Sequence, residues 1–150
     1  MQLELKHHHG GISVPDLEAS IRWFGEVLDF GVEERFDIPA IPAKVAMLRR
    51  GELRVELFEV PGAKPLPEDR RHPNLDVRTH GNKHLAFAIS DLDAAERELR
   101  RRGADIVFVG RFEFGCNIFL RDNAGNLIEL VLQPDLWDSR DGGECPATIT

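Results

Sequence analysis

At 150 residues and 42% hydrophobic content, the chain has the size and composition of one globular domain, or of two small halves sharing a core. A formal net charge of −7 disfavours nucleic acid, which selects basic patches, and no run of about 18 apolar residues is available to span a membrane. Residues 1–9 lack the apolar stretch and cleavage site of a secretory signal, so a cytoplasmic location is expected.

In chain order, residues 6–14 read as a strand. Asp16 then has the chemistry of a helix N-cap, because its carboxylate accepts backbone N–H groups that have no partner in the first turn. Leu17, Ile21, Phe24, Val27 and Leu28 recur at helical spacing and predict a helix over 17–28 with one apolar face, stopped by Gly31. Three β-rich runs follow at 31–36, 44–49 and 53–60, the last two joined by a turn at Arg49-Arg50-Gly51-Glu52. Residues 61–82 are rich in proline, glycine and charge and read as a surface linker. A strand over 83–89 and a helix over 92–102 come next, the helix led by Asp91, stopped by Gly103 and carrying Arg100–Arg102 in its last turn, where the dipole favours cations. Strands over 106–111, 117–121 and 127–132 complete the pattern, with a turn at Asp122–Asn126. The tail, 134–150, has no period; Leu136 and Trp137 are expected to pack on the body. Cys116 and Cys145 have no C-x-x-C spacing and read as buried or idle thiols.

This order is a repeat. His9 stands before a short apolar stretch and Asp16-Leu17; His84 stands before another and Asp91-Leu92. Each helix is followed by three strands, the last with a central glutamate: Arg54-Val55-Glu56-Leu57-Phe58 and Leu127-Ile128-Glu129-Leu130-Val131. His9 and Glu56 are 47 positions apart, His84 and Glu129 are 45 apart. The expected fold is therefore α+β, two βαβββ modules (about 6–60 and 83–133) in a curved mixed sheet, making one domain with the linker and tail.

The chemistry rests on four side chains. Strand residues alternate between faces, which puts His7, His9, Gly11 and Ser13 on one side and His84, Ala86 and Ala88 on the matching side. Glu129 interrupts an otherwise apolar run. A carboxylate in such a place is paired, protonated or bound to metal. The recurrence at Glu56 favours a shared divalent cation, which removes the repulsion between two carboxylates. Imidazole and carboxylate donors suit Ni, Co, Mn, Fe or Zn with positions left for substrate. His7 has the parity to stand behind His9, and His80 to close over a site; His8 and His72 read as surface. Phe58, Phe112, Phe114 and Phe119 are candidates for an apolar pocket floor or for core. Neither G-x-S-x-G nor a P-loop is present.

These residues resemble the vicinal-oxygen-chelate superfamily of glyoxalases, bleomycin-resistance proteins and extradiol dioxygenases. The resemblance runs from about His7 to Gln133. It is carried by His9 through Asp16-Leu17, Trp23-Phe24 and Val27–Gly31, by His84 through Asp91-Leu92, and by Gly125-Asn126 before Ile128-Glu129-Leu130. It implies one divalent metal ion held by His9, Glu56, His84 and Glu129, a small-molecule substrate chelated through neighbouring oxygens, and a homodimer, with the site inside one chain or across two. The set looks most like glyoxalase I, whereas epimerases of the family more often carry Gln at the Glu56 place. Ser13 stands where glutathione-using members have Arg, which puts glutathione in doubt. The implied activity is a lyase or isomerase reaction by proton transfer, with Glu129 or Glu56 as the base and Glu129 preferred for its more apolar strand. Two alternatives remain open at this point: an Fe(II)-dependent dioxygenase using His9, His84 and Glu129, and a metal-free drug-binding protein.

Overall fold

The computed structural model describes residues 3–137. The chain divides into two compact units, Met1–Pro65 and Leu66–Thr150. The first contains β1 (Gly10–Ser13), α1 (Leu17–Leu28), β2 (Gly31–Ile38), β3 (Ala43–Arg50) and β4 (Leu53–Glu59). The second repeats the order with β5 (Leu85–Ile89), α2 (Leu92–Arg101), β6 (Asp105–Phe112), β7 (Gly115–Arg121) and β8 (Leu127–Leu132). Each unit has one four-stranded mixed sheet, in the orders β1-β4-β3-β2 and β5-β8-β7-β6. The first strand of each runs parallel to the last, and the remaining pairs are antiparallel. The fold is thus α+β, built from two βαβββ modules.

Local chemistry explains the shared order. Asp16 Oδ1 accepts the Ala19 N–H at 2.9 Å, and Asp91 Oδ1 accepts the Ala94 N–H at 2.8 Å, so both helices start with the same cap. Bulges fall at matching places, between Val32 and Glu34 in β2 and between Ile106 and Phe108 in β6. In the first unit Phe24, Leu48, Val55 and Leu57 are fully buried, and the Phe24 ring meets Phe30 edge-on at 5.8 Å. In the second, Leu92, Leu99, Ile118, Leu120 and Ile128 form the equivalent core. Each such side chain contributes roughly 1.5–3 kcal/mol on leaving water.

The structure corrects several expectations. The first strand is shorter than 6–14. Gly10 pairs with Val55 in a parallel register, and β4 begins at Leu53, so the register carries residues 6 and 7 beyond the start of β4. The stop of α1 is Asp29, at φ 58°, rather than Gly31; a short polar side chain tolerates this left-handed conformation. Leu136 and Trp137 are 71% and 53% exposed, because the 3-10 turn Pro134–Leu136 directs them to solvent rather than onto the body. Cys116 is buried as expected but is not an idle thiol: it is disulfide-bonded. Sequence spacing restricts metal motifs but does not reveal a disulfide, which depends on geometry in space. Cys145 lies outside the described residues.

Candidate metal-ligand pairs

In β4, Val55 and Leu57 point into the core, which turns Glu56 to the opposite face. Its register neighbours are Gly11 on β1 and Met47 on β3. In β8, Ile128 and Leu130 are buried and Glu129 is turned the same way, with Ala86 on β5 and Phe119 on β7 beside it. The residue two places after each histidine is therefore small and lies next to a glutamate, leaving room for the carboxylate.

Each histidine precedes its strand by one position and reaches back to that glutamate. His9 Nε2 lies 3.1 Å from Glu56 Oε2, and His84 Nε2 lies 3.1 Å from Glu129 Oε2. Two donors at right angles around one cation, with bonds of about 2.0–2.2 Å, are separated by about 3 Å. Both pairs have that spacing and both have the imidazole-plus-carboxylate chemistry of a divalent site, so the residues fit the expected metal. Among the described residues, no set of three or more His, Cys, Asp or Glu side chains is gathered into a cluster that would hold an ion.

The pairs differ in what stands behind them. Glu129 Oε1 accepts a hydrogen bond from Asn117 Nδ2 at 2.7 Å, while Oε2 is the oxygen that faces His84. Asn117 Oδ1 is buried without a hydrogen-bond partner and is packed so close to Gly110 that a Cβ there would lie 2.5 Å away. Behind His84, Nδ1 lies 3.3 Å from Asp76 Oδ2, and the ring meets Phe119 edge-on at 5.2 Å. The residue of β3 that matches Asn117 is Val45, which offers no donor to Glu56. Behind His9, Nδ1 lies 2.7 Å from His8 Nδ1, in an exposed setting.

Asn117 and Asp76 were not singled out by the sequence reading. Asn117 sits two places before Phe119, the neighbour of Glu129, and register would have found it. Asp76, flanked by Leu75 and Val77, lies in a linker whose composition reads as solvated. The other histidines fall as follows. His8, not His7, stands beside His9, because the irregular segment before β1 breaks strand alternation. His72 pairs with Glu68 on the surface, and the His80 backbone oxygen accepts from Arg70 Nη2 at 2.8 Å. Of the four phenylalanines, Phe119 touches His84, Phe58 faces Gly11, and Phe112 and Phe114 stack on each other at 5.0 Å, with Phe114 89% exposed.

The turn that starts β8 is a tight polar knot. Asp122 is buried and accepts from the Ala124 and Asn126 backbone N–H groups and from Asn126 Nδ2, all at 2.8–2.9 Å. Burial pushes its carboxyl above the usual range, and these hydrogen bonds oppose the shift.

The fold and the repeat belong to one class of protein. The chain is a member of the Glyoxalase/Bleomycin resistance protein/Dioxygenase superfamily, whose family model matches residues 6–130. Among curated proteins it is 34% identical over 112 residues to a 2-epi-5-epi-valiolone epimerase of Actinomyces sp. That match covers 62% of this chain and 56% of the epimerase, so it spans little more than half of the relative's length. Among solved structures it is similar to a glyoxalase family protein from Enterococcus faecalis, with a TM-score of 0.70, 22% identity and coverage of 84% of this chain and 96% of the other. It is also similar to a glyoxylase/bleomycin resistance protein/dioxygenase domain from Frankia sp., with a TM-score of 0.69, 27% identity and coverage of 87% and 98%. No helix among the described residues is long and apolar enough to cross a membrane.

Proposed function

We propose that the protein is a metal-dependent isomerase of the epimerase type, acting by proton transfer on a small molecule that carries two neighbouring oxygens. The observation that carries this reading is the recurrence of one His–Glu pair, at one spacing, at the equivalent place in each module. The epimerase relative supports the reaction class.

His9, Glu56, His84 and Glu129 are the proposed ligands of a divalent ion, nickel, cobalt, zinc, manganese or iron. When bound, such an ion supplies Lewis-acid polarisation of a carbonyl oxygen and so acidifies the adjacent C–H. The rest of the chemistry falls to the protein. Epimerisation removes a proton from that carbon and returns one to the other side, which needs a base that is present as a carboxylate and free to move. Sequence reasoning preferred Glu129. The hydrogen bonds argue for Glu56: Asn117 donates to Glu129 Oε1, whereas Glu56, with Val45 at the matching place, has only its histidine as a polar partner among the described residues. In this reading Glu129 holds and Glu56 carries the proton. Position 56, where family epimerases more often have an amide, carries a carboxylate here and so gives the site that base.

The test is solvent exchange. Small hydroxy-ketones are incubated with zinc-, cobalt- or nickel-loaded protein in deuterium oxide and followed by NMR. Exchange at the carbon next to the carbonyl is expected with the wild type and is lost in Glu56→Gln at retained metal content. Exchange that survives Glu56→Gln but not Glu129→Gln would return the base to Glu129. No exchange, with oxygen uptake in the ferrous protein, would move the reading to a dioxygenase.

A further inference from the structure

We propose that Asp76 is a positioning residue for His84: its carboxylate accepts the Nδ1 hydrogen and fixes the ring with the Nε2 lone pair presented beside Glu129. The inference rests on the reading of His84 as a metal ligand through Nε2.

Three observations carry it. The first is burial. Residues 61–82 are rich in charge and mostly exposed, yet Asp76 is only 2% exposed. A carboxylate removed from water needs a partner, and the side-chain partner that Asp76 has is His84 Nδ1, at 3.3 Å.

The second is the way the backbone around Asp76 is held. Arg70 donates to the backbone oxygens of His80 and Asn82, and Thr79 Oγ1 donates to Asp69 Oδ2. These bonds tie the two ends of the segment from Asp69 to Asn82 together, with Asp76 between them. The Asp76 and Leu75 N–H groups both bond to the His72 oxygen. The segment is in turn fastened to the β7–β8 hairpin: Arg121 Nε donates to the Arg71 oxygen at 2.8 Å, and the Arg71 guanidinium lies where a Cβ on Gly125 would be, 2.2 Å away. Gly125 is at φ +90°, so both its conformation and its bare surface are used. A chain with only a connecting role needs none of these restraints.

The third is the ring itself. His84 has Asp76 on Nδ1, Glu129 on Nε2 and the Phe119 ring edge-on. A neutral imidazole has one N–H. When Asp76 accepts it, Nε2 and Glu129 Oε2 are two acceptors 3.1 Å apart, an arrangement that suits a cation between them. Among the described residues His9 has His8 rather than a buried acid behind it, which makes the second pair the better prepared of the two.

The experiment measures zinc affinity by chelator competition in the full chain for the wild type, Asp76→Ala, Asp76→Asn and His84→Ala, with circular dichroism as the check of folding. Asp76→Ala is expected to lose about 10- to 100-fold in affinity. Asp76→Asn, whose amide oxygen still accepts the Nδ1 hydrogen, is expected to recover most of it; this rescue separates positioning from simple packing. In the zinc-loaded wild type, NMR is expected to show one histidine Nδ1 proton slowed in exchange with water, assigned by its loss in His84→Ala and absent from Asp76→Ala. Weak binding in His84→Ala with undiminished binding in Asp76→Ala, or no such proton in the wild type, overturns the role of Asp76 and leaves the metal reading standing. Undiminished binding in His84→Ala overturns the metal reading, and this inference with it.

Discussion

Val45 and Asn117 occupy matching positions on matching strands, and the difference between them decides how each glutamate is held. Asn117 donates to Glu129; Val45 has nothing to donate to Glu56. Replacing Asn117 by Val imposes the first module's chemistry on the second. The substitution also removes the buried, unpartnered Oδ1, so its cost in stability is partly offset. The expected result is a chain whose unfolding midpoint moves little but whose zinc affinity falls about tenfold, as for the loss of other groups that orient a ligand. Isothermal titration alongside thermal denaturation reads both quantities. An unchanged affinity would mean that Glu129 keeps its orientation from the strand alone.

The two helices have the same Asp cap, but their first turns are not equally supported. In α1 the Leu17 N–H is also accepted, at 2.8 Å, by Glu59 Oε2 from the end of β4. Because Asp91 is the cap side chain shown at the start of α2, Asp91→Ala is expected to cost about 1 kcal/mol, and Asp16→Ala less, since Glu59 still satisfies one of the exposed donors. The difference depends on pH. The Leu17 N–H, and after it Lys44, hold the Glu59 carboxyl below its ordinary value of 4.5. A carboxyl with a lowered folded-state pKa contributes stability above its unfolded value and loses that contribution as pH falls through the folded one. The advantage of Asp16→Ala over Asp91→Ala should therefore be full at pH 7 and shrink as pH drops below 4.5. Urea denaturation of both variants at several pH values checks the direction; a constant difference would remove Glu59 from the account.

At the scale of the whole chain, what was legible in the sequence was local or repeated. Asp16 and Asp91 announced helix starts because capping is chemistry within three residues, and Glu56 and Glu129 stood out because a charge inside an apolar strand needs a reason. What was not legible depended on contacts that no period records. Asp76 meets His84 only because Arg70, Arg71 and Thr79 fold the linker back, and Asn117 matters only through its register with β8. Cys116 had no spacing signal for its bridge. The family resemblance implies one ion per four ligands, and a count tests that. Elemental analysis of zinc-loaded protein is expected to give one ion per chain, lost in His9→Ala and equally in His84→Ala. Two ions, each lost only with its own pair, would assign separate sites.

The strand orders β1-β4-β3-β2 and β5-β8-β7-β6 also govern how the protein is made. In each module the first strand to leave the ribosome pairs, among the described residues, with the last one, with about forty residues synthesised between them, so closure waits for the end of the module. During that interval β1 is an open edge, the kind of segment that invites pairing with other chains. It is four residues long and begins with Gly10-Gly11, so it offers few hydrogen bonds and few side chains to a wrong partner. The shortness of that strand, which leaves His9 just outside it, also protects the nascent chain until Glu59 has emerged.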